Sequence, residues 1–214
     1  MRTASTTLAL AALTSLTTAH FNLDYPAARG FDEELITNFP CGGQNTVSTE
    51  RTMWPISGGQ IALTMGHIDA NVQVLIAMGN SPGSAFNTIL RPTFKEEGLG
   101  SFCMTGFSMP EGLEATEGMN ATIQVVTNGD PDGGLYNCAD ITFSKMAMMA
   151  SSEVCRNSTK VTTSAASVTG SPNMTTGAMG ASPTKKSGAS MGGVGNAFVG
   201  GLVVAGAAAW AVVL

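Results

Sequence analysis

Short runs of apolar residues punctuate the middle of the chain, and their patterning predicts strands. Gln60-Ile-Ala-Leu-Thr-Met65 alternates with a period of two, and Val72-Gln-Val-Leu-Ile-Ala-Met78 is apolar and β-branched. Gly100-Ser-Phe-Cys-Met-Thr-Gly-Phe107 mixes aromatic and small residues. Ala121–Thr127 leads through Asn128-Gly-Asp-Pro-Asp-Gly-Gly134 into Leu135–Phe143. That connector supplies residues for positive φ and tight reversal, so the pair reads as a hairpin, with Asp130 and Asp132 serving the turn. Ser57-Gly-Gly59 and Asn80-Ser-Pro-Gly83 read as loops between strands. Helical periodicity is sparse. One short helix is expected around Gly30–Asn38, where Asp32 would cap a turn before Leu35-Ile36. The expected class is all-β, a sandwich of short strands.

Both ends of the chain carry a different pattern. Arg2, the apolar Leu8-Ala-Leu-Ala-Ala-Leu13 and the small Thr17-Thr18-Ala19 read as a secretory signal over residues 1–19, with cleavage before His20. From Phe198 to Leu214 every residue is apolar or small and no basic residue follows. A spanning helix needs about 20 apolar residues and normally leaves Lys or Arg on its cytoplasmic side. A GPI attachment signal needs only small ω residues, a spacer and a shorter tail, which makes 188–214 a propeptide with Ser187 or Gly188 as the attachment residue. Residues 158–187 are dominated by Ser, Thr, Ala and Gly and read as a disordered, glycosylated stalk, too poor in apolar surface to offset its ordering entropy. N-glycan sequons start at Asn120, Asn157 and Asn173. Together these features place the expected domain, 20–157, at the outer face of a cell.

Charge narrows the partners. All fifteen carboxylates fall within 20–157 against six of the ten basic residues, a net of −9 that disfavours nucleic acid and favours cations. The four cysteines lie in the same span, and an even count in an oxidising compartment implies two disulfides. Of the three possible connectivities, we expect Cys41–Cys155 to tie the ends of the domain and Cys103–Cys138 to join two strands.

The candidate chemistry rests on two histidines, the whole complement of the chain. An N-terminal His20 offers its α-amine and ring nitrogen to one metal ion, and nitrogen-rich tetragonal sites favour Cu(II). His67, just past a strand end, offers a third nitrogen, although a lone histidine there is more often a hydrogen-bonded structural residue. Asp140 stands inside the apolar run 136–143, where a carboxylate needs a cation: a metal, an arginine or backbone N–H donors. Met146-Ala-Met-Met149 is notable among thirteen methionines, because thioether sulfur is a soft Cu(I) ligand. Flexible core filler is the commoner use of methionine and is the expectation here. Trp54 and Tyr25 are too few to make a sugar-stacking platform.

His20-Phe-Asn-Leu-Asp-Tyr-Pro-Ala-Ala-Arg-Gly-Phe-Asp-Glu-Glu34, Pro40-Cys-Gly-Gly43 and Cys138-Ala-Asp140, taken in order, resemble a fungal family of copper-binding proteins similar to lytic polysaccharide monooxygenases, the Bim-type copper-acquisition factors. The resemblance implies an immunoglobulin-like β-sandwich, usually GPI-anchored, with a histidine brace. It assigns His20, His67 and Asp140 to one Cu(II). A carboxylate in the axial place implies binding and hand-off to a plasma-membrane copper transporter by a monomeric, non-enzymatic protein. The rival expectations are a copper monooxygenase acting on wall polysaccharide and a structural wall protein without metal.

Overall fold

Nine strands make up the regular structure of residues 20–128, 134–167 and 170, the part described in the computed structural model. These are β1 (Phe21–Tyr25), β2 (Thr52–Pro55), β3 (Gly59–Met65), β4 (Asp69–Met78), β5 (Thr88–Glu97), β6 (Gly100–Phe107), β7 (Asn120–Asn128), β8 (Gly134–Ser144) and β9 (Thr162–Ala165). All described residues belong to one compact unit, 1–178; the second unit, 179–214, lies outside them, as do the signal, Asn173, Ser187 and Gly188. Among the described residues no helix is long and apolar enough to cross a membrane.

The strands form two sheets that share one core, a β-sandwich. The smaller has the order β1-β3-β6 and the larger β2-β8-β7-β4-β5-β9. All pairings are antiparallel except β2 with β8. Phe21, Leu23, Ile61, Leu63, Met65 and Phe102 of the small sheet meet Val74, Ile76, Ile123, Val125, Ile141 and Phe143 of the large one. Trp54 lies inside this core at 1% exposure, its indole N–H donating to Gln60 O at 3.0 Å.

The alternating and apolar runs appear as β3, β4, β6, β7 and β8, and the predicted hairpin is the β7–β8 pair, in register from Asn120↔Thr142 to Asn128↔Gly134. Its connector, with Asp130 and Asp132, lies outside the described residues. β4, β7 and β8 are buried nearly throughout, polar residues included, because both faces are covered. Cys41, Leu75, Ala77, Phe86, Val126, Tyr136 and Cys138 form a second cluster on the outer side.

Three expectations are corrected. No helix forms at Gly30–Asn38; the segment makes successive turns, with Leu35 N–H donating to Asp32 O and Asn38 N–H to Leu35 O. So short an isolated helix gains little, and the Ile36 carbonyl at its end accepts from Tyr136 N–H of β8. The disulfides are Cys41–Cys138 and Cys103–Cys155, with Cα separations of 5.2 and 5.0 Å, in place of the pairing Cys41–Cys155 and Cys103–Cys138. Cys103 and Cys138 stand in different sheets and cannot be cross-strand neighbours. Cys155 instead belongs to a segment that runs along β6, where Asn157 Oδ1 accepts from Cys103 N–H and Ser158 N–H donates to Ser101 O. Finally, pairing continues past residue 157 into the segment read as stalk, because β9 adds to β5 from Phe94↔Ala165 to Glu97↔Thr162.

Candidate metal centre

Register places the two histidines together. β1 and β3 pair as Phe21↔Met65, so His20, one residue before β1, lies level with Gly66, one residue after β3. Gly66 N–H donates to His20 O at 2.8 Å. A Cβ at Gly66 would come within 2.5 Å of that same oxygen, so only glycine lets the strands approach this closely. His67 follows directly, in the three-residue passage 66–68 by which the chain leaves the small sheet and enters β4 of the large one. Glu97, ending β5, pairs with Asp69, and Asn128, ending β7, accepts from Asn71 N–H through Oδ1. The histidines thus share one end of the sandwich with the ends of β5 and β7.

The ring of His67 is oriented by its own turn: Nδ1 lies 2.5 Å from Asp69 O. A carbonyl only accepts, so Nδ1 carries the proton and Nε2 keeps its lone pair. Metal-binding histidines are commonly held this way by a backbone carbonyl. His20 Nδ1 lies 3.2 Å from Glu33 Oε1, and the exposed Phe31 meets the His20 ring edge-on at 6.2 Å. Glu33 was not singled out in the sequence; the only signal was its place in the Asp32-Glu-Glu34 run, which the turns of 32–38 fold back against the start of β1. Among the described residues no three His, Cys, Asp or Glu side chains gather into a metal-holding group.

Asp140 does not join the histidines, and its assignment as a copper ligand is corrected. It pairs with Thr122, and Thr122 with Ala77, which sets it level with the far end of β4. Eight residues separate Asp69 from Ala77, about 26 Å at about 3.3 Å per residue. The cation it needs is an arginine. Arg29 donates Nε to Oδ2 at 2.7 Å and Nη2 to Oδ1 at 2.8 Å, Ser48 N–H donates at 2.7 Å and Thr122 Oγ1 at 2.5 Å. Both side chains are buried. Burial pushes the Asp140 carboxyl up, but hydrogen bonds from Arg29, Thr122 and Ser48 outweigh it and hold the carboxyl below its ordinary value. Arg29 also donates to the carbonyls of Gln44 and Asn45, so the pair fastens the 29–48 segment over the large sheet.

The sequons differ in access. The Asn120 amide is engaged at both ends, Nδ2 donating to Asn80 Oδ1 and Oδ1 accepting from Thr142. Asn157 is exposed, and among the described residues only its oxygen is engaged, accepting from Cys103 N–H.

Residues 18–160 match the family model described as copper acquisition factor BIM1-like. An uncharacterized protein of Aspergillus fumigatus is 47% identical over 157 residues, covering 71% of this chain and 64% of the relative. A lytic polysaccharide monooxygenase-like protein of Emericella nidulans is 35% identical over 136 residues (58% and 55%). The copper acquisition factor BIM1 of Cryptococcus neoformans var. grubii is 31% identical over 154 residues (68% and 69%). The chain spans less than two thirds of the length of the first two relatives.

Proposed function

This chain belongs to the family of BIM1-like copper acquisition factors, and from that premise we propose that it captures Cu(II) with His20 and His67 at one end of the sandwich. The observation that carries the reading is the bond between Gly66 N–H and His20 O, which brings the only two histidines of the chain to adjacent positions. With cleavage before His20, its amine and ring nitrogen join Nε2 of His67, giving three nitrogens from two residues. This donor set suits Cu(II), which prefers tetragonal nitrogen ligation. Glu33 adds negative charge beside His20.

Copper is here a cargo. Asp140, held by Arg29, offers the metal no axial carboxylate to oppose oxidation. Trp54 is packed in the core and unable to stack on a sugar, which supports binding over polysaccharide oxidation. We place the protein at the outer cell surface on a GPI anchor at Ser187 or Gly188, glycosylated at Asn157, acting as a monomer and releasing copper to a membrane transporter.

The test is Cu(II) titration, followed by electron paramagnetic resonance, of chain secreted from a fungal host. One ion should bind per chain, and His67→Ala or an extra N-terminal residue before His20 should weaken it more than about tenfold. Unchanged affinity in both variants overturns the reading. Oxidised oligosaccharides released from chitin or glucan by the copper-loaded protein with reductant would move the assignment to the enzyme.

A further inference from the structure

A second group of metal-binding character lies at the opposite end of the sandwich. β8 runs from Gly134, at the histidine end, to Ser144, and the chain then enters Met146-Ala-Met-Met149. These methionines were expected to fill the core. They do not: Met146 is 88% exposed, Met148 85% and Met149 48%.

The exposure is not that of a loose loop. Glu117 accepts from the Ser144 hydroxyl at 2.8 Å and from Lys145 N–H at 2.6 Å. Ser144 Oγ accepts in turn from Met146 N–H at 3.1 Å. At the other side Ala150 N–H donates to Gln60 Oε1 at 2.8 Å, and Tyr25 OH donates to the Met148 carbonyl at 3.5 Å. The backbone is tied to β1, β3 and β8 while three thioethers stand in solvent. Exposed apolar surface is costly and usually has a use. Three sulfurs within four residues match the demand of a soft monovalent cation for thioether ligands.

We propose that Met146, Met148 and Met149 form a second metal site, which takes one soft d10 monovalent ion such as Cu(I). The site is independent of the histidine pair, because thioethers bind poorly to Cu(II) and imidazole does not require them.

The probe is Ag(I), a redox-inert ion of the same class, titrated into the full chain bearing His20→Ala and His67→Ala, with the Met ε-methyl resonances followed by NMR. The expected result is one Ag(I) bound and shifts confined to three methionine methyls. Adding Met146→Leu, Met148→Leu and Met149→Leu should weaken binding at least tenfold. Leucine keeps the apolar surface and removes only sulfur, and exposed positions leave the fold intact, which an unchanged melting temperature checks. Silver binding of equal strength in the leucine variant, or shifts at other methionines alone, overturns the proposal. Failure of Cu(II) binding in the parent chain would remove the histidine reading and leave this one standing.

Discussion

Asp140 holds both of its oxygens against donors from Arg29, Ser48 and Thr122, with no exposed side-chain surface. A buried ion pair is expensive to break from one side, because the surviving charge stays in the interior. Asp140→Ala should therefore cost about 3–5 kcal/mol in denaturant unfolding. In whatever fraction remains folded, copper affinity should be unchanged; a selective loss of copper from a stable Asp140→Asn protein would return this residue to the metal site. Gly66 poses the opposite case. Gly66→Ala places a methyl within 2.5 Å of the His20 carbonyl and must push β1 away from His67. Copper affinity should fall about tenfold, as when the supports of a metal ligand are disturbed, while the core signal of Trp54 fluorescence stays put.

At the level of elements, the end of the domain is a strap. The Cys103–Cys155 bridge, Asn157 and Ser158 hold the chain against β6, and β9 then pairs with β5. β5 itself was not legible as a strand, since Pro92 and the charged run Lys95-Glu-Glu97 argue against one. The structure absorbs Pro92 at a register shift between the pairs Val72↔Phe94 and Val74↔Arg91, and β9 covers the adjoining edge. Replacing Cys103 and Cys155 together by Ala should lower stability by about 3–4 kcal/mol, the cost of reopening a 52-residue loop. It should also expose the amides of 94–97 to hydrogen exchange. Unchanged protection there would mean that β9 holds without the bridge.

For the molecule as a whole, pH acts on fold and function in opposite directions. Glu96 is fully buried, both oxygens lack partners among the described residues, and Asp69 and Glu97 lie near. Burial first, then those charges, raise its carboxyl from 4.5 to about 7. The folded state binds the proton more tightly than the unfolded one, so stability is greatest below pH 4.5 for this group and declines as pH rises toward 7. Asp140 sets the acid limit: its lowered carboxyl contributes stability that is lost as pH falls through its folded value. The unfolding free energy should thus decline between mildly acid and neutral pH, and Glu96→Gln should flatten that slope; a slope surviving the substitution assigns it to another group. Copper binding should run the other way and weaken in acid, because its nitrogens must lose their protons to ligate.

The residues alone determined the β class, five central strands and the hairpin, because period-two patterning and turn chemistry act over a few neighbours, whereas β1–β3 register brought His20 level with Gly66, next to His67. They also determined that Asp140 needs a cation, since a carboxylate inside an apolar run is costly to desolvate unpaired. Which cation it took was decided by tertiary structure: strand register set Asp140 about 26 Å along β4 from the histidine end, beside Arg29. Disulfide pairing was likewise decided there, because sheet membership separates Cys103 from Cys138, and sequence distance carries no information about which sheet a strand joins. The methionines followed the same logic, since only the tying of the 144–150 backbone to neighbouring strands left their sulfurs in solvent.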